Sequence, residues 1–198
     1  MKPTLLRSSI SREELAGLPI HRYEGRIVLV ESPERLDEAR AEIGREKVIG
    51  LDTETRPAFR KGESYPPCLV QVATAGAVYL FPLRHGASFP VLAGLLGAPD
   101  VVKAGISLAF DLRELKLVLP FVERNVVELA AVARRAGLEQ AGVRNLAGIV
   151  LGWRIPKGNR TSNWAAQRLS DAQVTYAATD AWVCRELYLR FAGLGLAS

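Results

Sequence analysis

The chain has 198 residues, a formal net charge of +5 and an apolar share of 48%. That length suits one α/β domain, and that apolar share fills a substantial core, which excludes a mainly disordered chain. No apolar run approaches the roughly 20 residues of a membrane span, residues 1–10 lack a secretory apolar stretch, and Cys68 and Cys184 make neither a disulfide framework nor a Cys-x-x-Cys site.

Elements follow in chain order. Ser11 with Glu14 is a capping box and predicts a short N-terminal helix. Gly25 to Val30 reads as a strand, and Ser32-Pro33 opens a helix running to about Glu46. Three strands follow without helices: Val48 to Thr55, Cys68 to Ala73, and Ala77 to Leu83, with Ala75-Gly76 as a hairpin turn. That succession predicts an antiparallel meander. The pattern then alternates: a helix at Val91 to Leu96, a strand at Val101 to Ile106, and a helix at Leu108 to Leu119 stopped by Pro120. A short strand at Asn125 to Val127 and helices near Leu129 to Ala136 and Val143 to Leu151 come next. A polar, basic loop spans Gly152 to Asn163, and a second capping box, Ser170 with Gln173, opens a long helix toward Phe191. The fold class expected is α/β, one mixed sheet flanked by helices.

The second strand carries an oddity. Its apolar lead, VIGL, runs into Asp52 and Glu54, which share one face with Gly50 because side chains alternate across a strand. Two such carboxylates repel each other, and burial costs each of them several kcal/mol unless something compensates. The bland alternative is an acidic face open to water. Two further acids sit in related places. Asp111 stands near the start of the helix after the strand Val101 to Ile106, where the helix dipole favours an anion and where a simple first-turn aspartate is common. Asp180 lies inside the long helix among small and apolar neighbours, with Tyr176 four residues earlier on the same face. Alone, the Tyr–Asp pair reads as packing. Together the acids suit hard divalent cations bound by carboxylate oxygens, Mg²⁺ or Mn²⁺, as a pair about 4 Å apart for phosphoryl displacement. No His or Cys cluster offers a zinc site, since His21 and His85 are isolated.

The basic balance favours an anionic partner, nucleic acid first, though many basic chains merely carry a cationic solvated face. Arg56, Arg60 and Lys61 follow the acidic strand, and Arg154, Lys157 and Arg160 lie in the loop before the last helix. They are candidate phosphate contacts for single-stranded nucleic acid, with ordinary loop solvation as the alternative for each. Phe110, Trp153 and Trp164 are candidates for stacking on bases or, equally, for anchoring the core.

The motifs "LDTET", "KAGISLAFDLREL" and "YAATD", in this order, resemble those of the DEDD 3′–5′ exonucleases. The tyrosine points to the branch that includes ribonuclease D and the Werner-type exonuclease domain. "CLVQVAT" and "SNWAAQRLSDAQVTYAATDAWVCRELY" extend the similarity, which covers roughly Gly25 to Leu194. Some branches carry Asn where this chain has Ser107.

The resemblance implies a ribonuclease H-like fold over residues 25–198, after an N-terminal extension over residues 1–24. It also implies two divalent cations, Mg²⁺ or Mn²⁺. By it, Asp52, Glu54 and Asp180 would hold the cation on the nucleophile side, Asp52 and Asp111 the other, and Tyr176 would orient the attacking water and assist its deprotonation. The implied activity is removal of nucleoside monophosphates from single-stranded 3′ ends. A non-catalytic nucleic-acid-binding module of the same fold is the alternative. A dinucleotide-binding oxidoreductase is disfavoured because no Gly-x-Gly-x-x-Gly follows the first strand. The further helical domains of ribonuclease D have no counterpart in this sequence, so affinity would be lower or supplied by a partner. A cytoplasmic setting with no membrane contact is expected, and the oligomeric state is left open.

Overall fold

A computed structural model describes residues 6–60, 62–158 and 161–197. Six strands form one mixed sheet: β1 (Arg26–Leu29), β2 (Val48–Thr55), β3 (Pro67–Ala73), β4 (Ala77–Pro82), β5 (Val102–Gly105) and β6 (Val126–Glu128), in the spatial order β1-β4-β3-β2-β5-β6. The pairs β2·β3 and β3·β4 are antiparallel, which is the meander the sequence predicts. The pairs β1·β4, β2·β5 and β5·β6 are parallel. Thr74 and Ala77 close the β3–β4 turn with a backbone bond of 2.8 Å from the Thr74 N–H to the Ala77 carbonyl.

Seven α-helices surround the sheet: α1 (Arg12–Gly17), α2 (Pro33–Ile43), α3 (Phe89–Gly97), α4 (Leu108–Leu115), α5 (Leu129–Arg135), α6 (Val143–Leu146) and α7 (Asp171–Gly193). Both predicted capping boxes are formed, at the starts of α1 and α7. Two differences from the sequence reading are local. Helix α4 ends four residues before Leu119, whose N–H closes an isolated turn to the Leu115 carbonyl. The helix expected up to Leu151 changes at Ala147 to a π-helical segment, Ala147–Leu151, which ends at left-handed Gly152.

Alternation on β2 explains the layering. Ile49 and Leu51 are fully buried in the cluster that includes Leu92, Leu108 and Leu115 of α3 and α4. Gly50 turns the other way, onto α7, whose Ala177, Ala178 and Ala181 pack with Leu69, Ala73, Val78 and Leu80. A third cluster joins α5, the π-helical segment and the end of α7, and includes Ile10. Burial of these apolar faces is the dominant favourable term in folding. Lys103 is an exception within β5: it is 0% exposed, and its Nζ donates to the Ala98 carbonyl at 2.6 Å, at the C-terminus of α3. Among the described residues no helix is long and apolar enough to cross a membrane.

Candidate active site

Helix α7 crosses β2 at Gly50. A β-carbon there would lie 1.9 Å from the Ala181 carbonyl oxygen, so only glycine admits the helix this close. The crossing sets Asp180 over the acidic face of β2. One carboxylate oxygen each from Asp52, Glu54 and Asp180 lies within 4.8 Å of the other two. Asp111 stands beside this trio, and its charge helps raise the pKa of Asp52.

Ser107 is left-handed, with φ 65°, and turns the chain from β5 into α4. Glu128 holds that turn: it accepts the Ser107 N–H at 3.0 Å, the Leu108 N–H at 2.9 Å and the Ala130 N–H at 3.2 Å. The Thr53 hydroxyl, on the far face of β2, bonds Asp111. Sequence reading singled out neither Glu128 nor Thr53. An acid closing a strand directly before a helix is the signal that would have marked Glu128.

The carboxylates are held away from their ordinary ionisation. Burial, then the charges of Asp180 and Asp111, raises Asp52 well above the usual range, against the Thr53 N–H that bonds it. Burial pushes Asp111 up to about 7, with the Thr53 hydroxyl opposing and the charge of Glu128 adding. Burial pushes Asp180 up to about 6, although the Tyr176 hydroxyl and the charge of Arg144 both lower it. Such a cluster of mutually repelling carboxylates could hold a metal ion. The donor set is all carboxylate, which suits a hard divalent cation rather than zinc.

Tyr176 sits one turn before Asp180, and its hydroxyl donates to that carboxylate. Its ring is fixed from two sides. A β-carbon at Gly158 would lie 1.6 Å from the ring, and the Trp164 ring centroid is 5.9 Å away. Burial, then the carboxylates of Asp180, Glu54 and Asp52, raises the phenol pKa. Tyr176 and Asp180 line a cleft of 340 Å³ that also meets Arg22, Lys157 and Thr179.

The remaining sequence candidates divide. Arg56 is exposed and lies over the Tyr65 ring at 4.6 Å, and Arg60 is exposed on the same loop beside Phe59, which is 83% exposed. Phe110 is 57% exposed, with Arg113 over its ring. Trp164 requires a correction. It is 2% exposed and packed with Leu69 and Ala177, so it braces Tyr176 from the core and offers no face to a base. Arg154 is displaced as well: its Nη1 donates to the Ala16 carbonyl at 2.6 Å, and it lines a neighbouring groove rather than the Tyr176 cleft. Trp153 is an anchor, stacked between His21 at 4.6 Å and Trp182 at 4.9 Å. Lys61 and Arg160 lie outside the described residues. Cys184 is buried and Cys68 half-buried, as free thiols.

Over residues 27–193 the chain matches the family model described as 3′-5′ exonuclease. The chain belongs to the 3′-5′ exonuclease family. Ribonuclease D of Gluconacetobacter diazotrophicus is 32% identical over 165 residues, which is 81% of this chain and 41% of that protein. The human exonuclease mut-7 homolog is 30% identical over 170 residues, 72% of this chain and 19% of that protein. The chain therefore spans less than half the length of these relatives. Among solved structures, the exonuclease domain of Aedes aegypti Nibbler superposes with a TM-score of 0.77 at 22% identity, covering 88% of this chain and 92% of that one. Trypanosoma brucei RNase D in complex with RNA U12 gives a TM-score of 0.76 at 18% identity, covering 86% and 63%. At these identities the likeness is one of fold, and it is the family's ribonuclease H-like fold.

Proposed function

We propose that this chain is a metal-dependent 3′–5′ exonuclease that removes nucleoside monophosphates from single-stranded 3′ ends. The observation that carries the reading is the carboxylate trio, with the Tyr176 hydroxyl hydrogen-bonded to one of its members. Asp52, Glu54 and Asp180 are assigned one divalent cation, and Asp52 with Asp111 a second, Mg²⁺ or Mn²⁺. Such a pair supplies, when bound, a lowered pKa for the attacking water and neutralisation of charge on the attacking and leaving oxygens.

The chain's own groups do the rest. Tyr176 is assigned to orienting the attacking water through its hydroxyl, one helical turn from Asp180. Gly158 and Trp164 hold its ring in register. Thr53 and Glu128 aim Asp111. Arg56, Arg60, Lys157 and the exposed face of Phe110 are assigned to the incoming strand, as phosphate contacts and a stacking surface. The test is incubation with end-labelled RNA and DNA, single- and double-stranded, with Mn²⁺ and with a chelator. Release of mononucleotides from single strands only with the cation supports the reading. Tight binding with no product under either condition leaves a non-catalytic binding module.

A further inference from the structure

The cleft of Tyr176 and Asp180 shares Ile155, Pro156 and Lys157 with a second cavity of 660 Å³. Arg12, Arg144, Arg154 and Lys157 line this groove, with Asn145 between them and no acid among its described lining residues. None of the four cations has an ion-pair partner among the described residues, although nine ion pairs form elsewhere on the chain. Arg12, Arg154 and Lys157 repel each other around one groove, with the charge of Arg144 partly offset by Asp180, and the arrangement is favourable when a polyanion lies among them.

The groove is built, not incidental. Helix α1 forms its outer wall. Its Leu15 packs against Gly148 of the π-helical segment, where a β-carbon would lie 2.7 Å from the leucine methyl. Arg154 donates to the Ala16 carbonyl of α1, and the chain pairs again as Ile20 bridges Arg154. Arg144 donates its Nε–H to the Ile155 carbonyl at 3.1 Å. Its charge also reaches Asp180, which lines the neighbouring cleft. Arg12 and the rest of α1 precede residue 27, where the match to the family model begins.

We propose that this groove binds the sugar–phosphate backbone of a single strand on the 5′ side of the nucleotide being removed. The inference rests on the exonuclease reading, which places the 3′ end at the carboxylates. A strand that leaves the cleft past Lys157 runs into the groove. Arginine forks pair phosphate oxygens bidentately, and the apolar stretch of Leu15, Ile155 and Pro156 suits the sugar faces between them. The groove sets a preferred substrate length: short ends reach the cleft alone, longer ones reach both.

Arg12 is the residue to test. It is exposed at the first position of α1, where glutamate is favoured by the helix dipole, so Arg12→Glu keeps the fold. Anisotropy with labelled single strands of four and twelve nucleotides, in chelator to prevent hydrolysis, gives the affinity ratio of long to short. The wild type is expected to prefer the long strand by at least about 10-fold, with a salt slope steeper by roughly 0.7 per phosphate engaged. Arg12→Glu is expected to collapse that ratio and flatten the slope, Arg12→Lys to restore most of both. Arg134→Glu, the same charge change at an exposed position of α5, is expected to retain the ratio. Equal affinity for both lengths in the wild type, or an Arg12→Glu protein with the wild-type ratio, would overturn the proposal. So would displacement of the long strand by polyglutamate as effective as displacement by an oligonucleotide of equal charge. Failure of the exonuclease reading shows separately, as no nucleotide release from the four-nucleotide strand with Mn²⁺.

Discussion

Gly50 of β2 and Ala181 of α7 touch backbone to backbone, and that contact brings Asp180 to Asp52. A β-carbon at Gly50 would lie 1.9 Å from the Ala181 carbonyl oxygen and 2.8 Å from the Arg185 nitrogen. The neighbouring atoms are helix backbone, which cannot yield as a flexible side chain would. Gly50→Ala is therefore expected to lower stability by about 1–3 kcal/mol through overpacking. Because the helix must shift, hydrolysis should fall by about 10²-fold, the scale of an ångström-sized misplacement. Denaturant melts and turnover on the same protein check both parts. Wild-type values for both would remove the crossing from the account.

The metal-free carboxylates make stability depend on pH. Burial pushes folded Asp111 up to about 7 and Asp180 up to about 6, above the ordinary 3.8, and raises Asp52 with them. A raised folded pKa favours the protonated form, so stability is fully present below about pH 3.8 and is lost as pH rises through 6 and 7. In chelator the melting temperature should be higher at pH 5.5 than at pH 8, by roughly 4 °C. Mn²⁺ at pH 8 should remove the difference by binding the ionised cluster. Asp52→Asn should also raise the metal-free melting temperature at pH 8, since it deletes a repelled charge. A melting temperature at pH 8 indifferent to Mn²⁺ would argue against cation binding here.

Tyr176→Phe keeps the ring between Gly158 and Trp164 and removes the oxygen that bonds Asp180. Turnover should fall by roughly 10-fold to 10³-fold, within the span of a positioned hydrogen-bonding group. The affinity for single strands should change little. Near-normal turnover would reduce Tyr176 to packing.

Glu128→Gln tests the support of Asp111. The carboxylate accepts N–H bonds from Ser107, Leu108 and Ala130, and the amide offers a single acceptor oxygen without charge. Stability should fall by about 1–3 kcal/mol. The pKa of Asp111 should drop, because the Glu128 charge helps to raise it. Carboxyl titration by NMR and a denaturant melt read the two effects. A rise in the Asp111 pKa would contradict the placement.

Local signals made most of the fold legible. Capping boxes at Ser11 and Ser170 mark the starts of α1 and α7, and alternation on β2 puts Asp52 and Glu54 with Gly50 on one face. Strand and helix periods put Asp52 with Glu54, and Tyr176 with Asp180, on shared faces, while the crossing at Gly50 brings the two pairs together. What sequence hides is set by contacts between distant segments. Trp164 reads as an aromatic in a basic loop but is swallowed by the α7 cluster. Lys103, a charge within a strand, lies buried and bonds the Ala98 carbonyl at the end of α3, which only the fold reveals. Arg144 belongs to a helix with no motif and reaches Asp180 only through the turn of α6 into the π-helical segment. The groove walled by α1 depends on Arg154 meeting Ala16 across 138 residues.

Hydrolysis of phosphodiesters from the 3′ end with a divalent cation is the activity proposed for the Asp52 cluster. The direct measurement is digestion of a 5′-labelled single strand by wild type and Asp52→Asn, each in Mn²⁺ and in chelator, resolved at single-nucleotide length. A ladder shortening one nucleotide at a time from the 3′ end is expected for the wild type in Mn²⁺ alone. Shortening by Asp52→Asn, shortening in chelator, or cuts that begin internally or at the 5′ end would contradict it.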